Sequence, residues 1–355
     1  LNDLLVSVSD YYNPQFLVLP GMVNISSFYK CIIIPKPREQ FSDKDKFKID
    51  QYIMNGGRVI WLIEALNAEL DSVMIKRSFV TMDYPLNLDD QLFRYGIRVN
   101  PDLLLDLRCN PVPLMVSLEG QRPDFKLFDC FYFPILTPAA GHAITKNIDA
   151  VKAEFAGTID TIASQGIKKT ILLRSSEKSR MVFTPWLVDF RDLRNRPNVA
   201  DYNKKNLIAA VLLEGVFPSA FRNRVPEEMA QVLRDSLKQP FRDSSLPAKM
   251  IVISDGDVAA SQFSSRGEPI PLGLYRYTGT YFGNKNFLMN SIDYLCGHSQ
   301  LINTRSKTIK LRLLDNNRVE LVKFQYQLIN MVVPIVALFI FGLIFNFIRI
   351  RKYTS

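Results

Sequence analysis

Histidine is almost absent from this chain. Its 355 residues include two, His142 and His298, and four cysteines, Cys31, Cys109, Cys130 and Cys296, none of them in a CxxC pair. Those counts leave no basis for a zinc site of the usual Cys/His type. A Ser-His-Asp triad would have to be built on His142, which follows a Pro-Ala-Ala-Gly loop, or on His298, which follows a helix-ending Gly297 where a cation is favoured. The chain also lacks GxxxxGK[ST], GxSxG, GxCxG and HExxH. It therefore has no P-loop with which to hydrolyse ATP and no nucleophile elbow. Internal repeats and low-complexity tracts are missing too. Lys and Arg outnumber Asp and Glu, 44 to 35, for a net charge of +9, but they form no stripe interleaved with aromatics. Nucleic acid is not the expected partner, and a basic surface facing anionic lipid or polysaccharide accounts for the excess. Charged residues make up 22% and hydrophobic residues 47%, which argues against long disorder and for a packed core. Cys31 and Cys296 fall in apolar patterns and read as buried thiols. Cys109 and Cys130 lie in loop-like contexts, and a bridge between them is left open.

What the chain does have is a run of 21 uncharged residues, Leu328–Ile348, containing Pro334 and Gly342 and followed by Arg349, Arg351 and Lys352. At about 1.5 Å per residue such a run crosses a hydrocarbon core of roughly 30 Å. Pro and Gly are common in membrane spans, and the basic cluster belongs on the cytoplasmic side. The reading is a transmembrane helix at 328–348, a cytoplasmic basic tail at 349–355 and the bulk of the chain outside. Because the chain opens on Leu1 in what reads as mid-helix, the native polypeptide is expected to extend further at that end.

The remainder reads as α/β. Lys30–Ile34 is a short apolar run stopped by Pro35 and Pro37, and Arg58–Ile63 is another. Between them Ser42 or Asp43 caps a helix that Gly56-Gly57 ends, making a βαβ unit. Leu88–Tyr95 and Asn286–Leu295 read as helices. Val151–Ile162, Lys169–Leu173, Leu207–Leu213 and Met250–Ile253 read as strands, the last two buried, and Lys30–Ile34 has the look of a buried strand of a parallel sheet. The proline- and aromatic-rich stretch from Asn110 to Pro138 is expected to be irregular or antiparallel. Lys307–Phe324 has a hairpin pattern around Asp315-Asn316-Asn317. The expected domains are an extracytoplasmic α/β region at 1–300, with two subdomains meeting near 140–165, and a β-hairpin stalk at 301–327.

Apolar strands end in Glu64, Glu214 and Asp255, with Asp257 just after. In an open parallel sheet these ends line the ligand crevice, where carboxylates can hold a divalent metal. The simpler reading is that they cap helices and bond loop amides. The stretch after Glu214, with Phe221, Arg222 and Arg224, is a candidate contact surface for an anionic ligand or a partner.

Several blocks, Lys44–Leu66, Leu88–Cys109, His142–Ile162, Ala209–Arg224 and Gly283–Gly297, together with a C-terminal span followed by Arg/Lys and Tyr, resemble the gliding-motility auxiliary protein GldG family, in the same order along the chain. The resemblance covers essentially Leu1 to Ser355, with the family's first span and leading α/β segment absent. It implies a mostly parallel, flavodoxin- and amidotransferase-like sheet with added β-rich segments. It implies a non-catalytic, membrane-anchored subunit of an ABC transporter in the inner membrane of gliding bacteria, its bulk in the periplasm, with a separate permease and ATPase as partners. A polysaccharide or other surface polymer is the candidate cargo, and neither a cofactor nor a metal is called for. Amidotransferase chemistry is not expected, because Cys31 lies within a strand and not at a strand–helix turn. The alternative is a metal-dependent hydrolase of an extracytoplasmic polymer using Glu64, Glu214, Asp255 and Asp257.

Overall fold

The computed structural model describes residues 2–70, 78–117, 122–225, 235, 241–264, 267–298, 300, 302 and 316–353. It divides into two compact units, Leu1–Ser306 and Lys307–Ser355. The elements of the first unit, in chain order, are α1 (Asn2–Ser9), β1 (Ile32–Pro35), α2 (Asp43–Met54), β2 (Val59–Leu62), β3 (Ser78–Thr81), α3 (Asp89–Arg94), β4 (Ile97–Val99), β5 (Asp102–Asp106), β6 (Cys109–Met115), β7 (Phe125–Pro138), β8 (Val151–Lys152), β9 (Ile159–Thr161), β10 (Ile167–Arg174), β11 (Ser179–Phe183), β12 (Trp186–Asp189), β13 (Ile208–Gly215), β14 (Ala248–Ile253), β15 (Leu274–Tyr275), β16 (Thr280–Tyr281) and α4 (Asn284–Cys296).

The expected βαβ unit is present. Ser42 caps α2 by accepting from the Asp45 N–H at 3.2 Å. Gly56 turns the chain at a φ of +87°, and a Cβ on Gly57 would fall 2.4 Å from the Tyr52 ring. β2 then lies parallel to β1, with Ile32 opposite Val59 and Pro35 opposite Leu62. β14 joins β2 on its other side, also parallel. Beyond β14 the direction changes. The sheet continues β14-β13-β10-β7-β6, with β8 on β7, and every one of these pairings is antiparallel.

The expectation of a mostly parallel, flavodoxin-like sheet is therefore corrected: the sheet is mixed and mostly antiparallel. LIAAVLL and MIVI are apolar without alternation, as strands of a parallel sheet are. That pattern records burial on both faces and carries no information on direction. Here both faces are covered. On one, Ile60, Leu62, Leu212, Ile251 and Ile253 pack with Leu4 of α1 and Phe287 and Ile292 of α4. On the other, Val59, Trp61, Val211, Leu213 and Val252 pack with Ile49 and Ile53 of α2 and Leu92 of α3. Each such side chain contributes about 1.5–3 kcal/mol when fully buried, so a polar residue in β2 would be costly on either face.

A third core joins β5, β7, β11 and β12 through Leu103, Phe133, Phe155, Val182 and Val188. The aromatic-rich stretch forms the antiparallel β6–β7 ladder, and it extends the sheet. Pro111 and Pro113 are tolerated there because β6 is an edge strand, where their missing N–H groups cost no ladder bond. The expected strand at Val151–Ile162 is split into β8 and β9. The run Phe16–Leu19 stays outside any strand.

The second unit contains α5 (Asn316–Tyr353). Residues 303–315, with the first arm of the expected hairpin and Asp315 of its turn, lie outside the described residues, while Asn316, Asn317 and the second arm are helical backbone at the start of α5. Tyr326–Lys352, 27 residues with no share buried, is long and apolar enough to cross a membrane. It contains Leu328, Pro334, Gly342 and Ile348, then Arg349, Arg351 and Lys352.

Candidate functional site

The three parallel strands bring their C-terminal ends to one edge, and three of the four expected carboxylates meet there. Glu64 follows β2, while Asp255 and Asp257 follow β14. Ligand oxygens of all three lie within 4.8 Å of one another. Glu64 and Asp255 are buried.

A residue not singled out from the sequence stands among them. Lys36, directly after β1, continues the ladder through its N–H to the Leu62 carbonyl at 2.8 Å and has a φ of +46°. Its ammonium lies 2.7 Å from both oxygens of Asp257 and 3.6 Å from Glu64 Oε2. The lysine stem reaches this position across the Gly256 turn, where a Cβ would fall 2.6 Å from Lys36 Cβ and Cγ. Lys36 did carry a signal: it is the cation that ends the first strand between two prolines, at the edge where the acids were expected.

The backbone completes the arrangement. Asp255 accepts from the Asp257 N–H at 2.6 Å and from the Glu154 N–H at 2.9 Å. Glu64 accepts from the Gly256 N–H at 3.2 Å. Lys152 and Gln262 hold Glu154 Oε1 at 3.3 and 2.7 Å. Three carboxyls thus face one ammonium in a buried space. Burial, and then the charges of Asp257 and Asp255, push Glu64 well above the usual carboxylate range. Burial and Asp257 raise Asp255 to about 8. Burial also raises Asp257, although Lys36 opposes it. For Lys36 burial acts downward, but Glu64 and Asp257 outweigh it and hold the ammonium charged. The group is a proton-holding, internally neutralised joint between β1, β2 and β14.

Glu214 does not join it. Because β13 runs antiparallel to β14, its end lies beside Lys249 at the start of β14, at the opposite sheet edge. There Glu214 Oε1 takes the Lys249 ammonium at 3.0 Å and the Tyr294 hydroxyl at 2.8 Å. Burial alone would raise its pKa, and these two bonds lower it instead. The four-carboxylate site is corrected to three, and the cause is the antiparallel direction of β13.

Phe221, Arg222 and Arg224 sit on a loop held by a second residue missed from the sequence. Asp50 of α2, fully buried, accepts from Ser219 Oγ at 2.7 Å, Ala220 N at 2.8 Å and Tyr95 Oη at 2.9 Å. Its signal was a carboxylate on the apolar face of α2. Phe221 packs edge-on against Phe47 with centroids 5.2 Å apart, and Arg224 reaches Asp90 at 3.6 Å. Arg222 is exposed while Phe221 is half-buried, and all four cysteines are free thiols.

The family described as "ABC-type uncharacterized transport system" matches residues 1–291. No curated protein matches. Among solved structures the chain is similar to the "mmIFT52 N-terminal domain" at 12% identity and a TM-score of 0.41, covering 83% of this chain and 89% of that one. With residues 1–291 matched, this chain belongs to the auxiliary family of ABC-type transport systems.

Proposed function

We propose that this protein is a non-catalytic, membrane-anchored auxiliary subunit of an ABC transporter that serves gliding motility, with α5 as its anchor. The α/β unit stands in the periplasm, the basic tail stays in the cytoplasm, and the first unit binds a partner, a polysaccharide or another surface polymer. One observation carries the reading: a family match over residues 1–291 precedes, in the same chain, an apolar helix at Tyr326–Lys352 with no share buried. The Glu64, Asp255 and Asp257 cluster supports a structural role, since its charge is already met by Lys36 at 2.7 Å from Asp257. The hydrolase alternative loses its fourth ligand with Glu214. In mild detergent the protein is expected to co-purify with a permease and an ATPase. Recovery of the chain alone, together with wild-type gliding after deletion, would overturn the proposal.

A further inference from the structure

A cleft of about 350 Å³ opens beside the strand edge just described. Its floor is apolar, with Ile63, Leu86, Leu92 and Val99 among the lining side chains. Its volume is at the low end of the roughly 300–1,000 Å³ common for ligand sites, with room for one or two residues of an extended chain.

The charges at its rim are unusual for this molecule. The whole chain carries +9, yet two carboxylates, Asp83 and Asp89, line the cleft against one cation, Arg98. Arg98 lies directly across the β4–β9 ladder from Asp160, so a third carboxylate sits opposite that cation. Asp83 accepts from the Thr184 hydroxyl, so its partner there is a neutral group and not a cation. Among the described residues, then, a basic protein presents an apolar concavity with an acidic rim.

We propose that this cleft binds a lysine or arginine side chain carried on an extended polypeptide segment of a partner or cargo protein. The alkyl stem of such a side chain covers apolar surface while its cationic head reaches a polar rim. Asp83 and Asp89 are the head's acceptors, and Leu86 and Leu92 meet the stem. Phe93, which is 56% exposed, extends the apolar surface beyond the mouth. A polysaccharide or a lipid headgroup phosphate offers the cleft no cation.

The test is isothermal titration of the full chain in detergent with two probes, acetyl-Leu-Lys-Leu-amide and acetyl-Leu-Glu-Leu-amide. The lysine peptide is expected to bind saturably and the glutamate peptide to give no signal. Asp89→Asn weakens binding about ten-fold, the loss of one charge-assisted contact, and adding Asp83→Asn weakens it further. Arg98→Gln strengthens it, a gain that misfolding does not produce. Equal binding of the two peptides, no saturable binding, binding of hexylamine in place of the peptide, or affinity unmoved in these variants would each overturn the proposal. It rests on the auxiliary-subunit reading, but the two fail separately. A chain that binds the peptide and never co-purifies with a permease refutes that reading alone, while one that co-purifies and binds no peptide refutes the cleft alone.

Discussion

Replacing Lys36 by Met keeps most of the stem beside Gly256 and removes the one ammonium that lies 2.7 Å from Asp257 and 3.6 Å from Glu64. Taking one partner from a buried ion pair costs about 3–5 kcal/mol, because the remaining charge stays buried without compensation. The loss depends on pH in a definite direction. Burial raises the carboxyls of Glu64, Asp255 and Asp257, with Asp255 at about 8. Between about pH 4 and the raised values the folded state therefore holds more protons than the unfolded one. Stability from these carboxyls is fully present at the acid end of that window and is lost as pH rises through the folded values. Without Lys36 the folded values move higher and the alkaline loss deepens. Near pH 8 the variant is expected to lose the full 3–5 kcal/mol or so, and near pH 5 only about 1 kcal/mol, the scale of a lost hydrogen bond between neutral groups. Urea unfolding of both proteins across this range, followed by fluorescence of the buried Trp61, measures the difference. Adding Glu64→Gln should recover part of the alkaline loss, since it removes one of the crowded carboxyls. A loss that does not change with pH, or one under about 1 kcal/mol at pH 8, would refute the account of the joint.

Two further outcomes are expected. Asp50→Ala strands Ser219 Oγ, Ala220 N and Tyr95 Oη. It should cost about 3 kcal/mol and speed tryptic cleavage after Arg222 and Arg224, and an unchanged digestion pattern would count against Asp50 as the anchor of that loop. Leu338→Arg puts a charge in the apolar helix at a site 71% exposed. It should oppose insertion by about 2.5–3.5 kcal/mol, read as release from carbonate-washed membranes, and full retention would argue that α5 is not the anchor.

Local signals in the sequence were accurate where a single residue sets the structure. Ser42 caps α2, the Gly56-Gly57 pair ends it and Gly297 ends α4 in a left-handed turn. The apolar runs of β2, β13 and β14 also proved to be strands. What was not legible was their relative direction, because a strand buried on both faces has the same composition whichever way it runs. That one ambiguity placed Glu214 at the wrong edge. Lys36 and Asp50 are hard to single out from the sequence for a related reason. A charge beside or within an apolar pattern reads as surface until the fold shows which buried partners surround it.

The position of β14 in the sheet has a kinetic consequence. Its end closes against a residue 192 positions earlier in the chain, where the Gly256 N–H meets Glu64, and Lys36 waits 221 positions for Asp257. Loop-closure entropy for such distant partners must be met before their contacts contribute, which makes this pairing slow. During synthesis β1 and β2 emerge early and remain a half-sheet, with one β2 edge open, until Ile253 has appeared. A chain cut before β14 therefore leaves Lys36 and Glu64 without Asp255 and Asp257. This order of assembly keeps the central sheet open until nearly the whole first unit has been made.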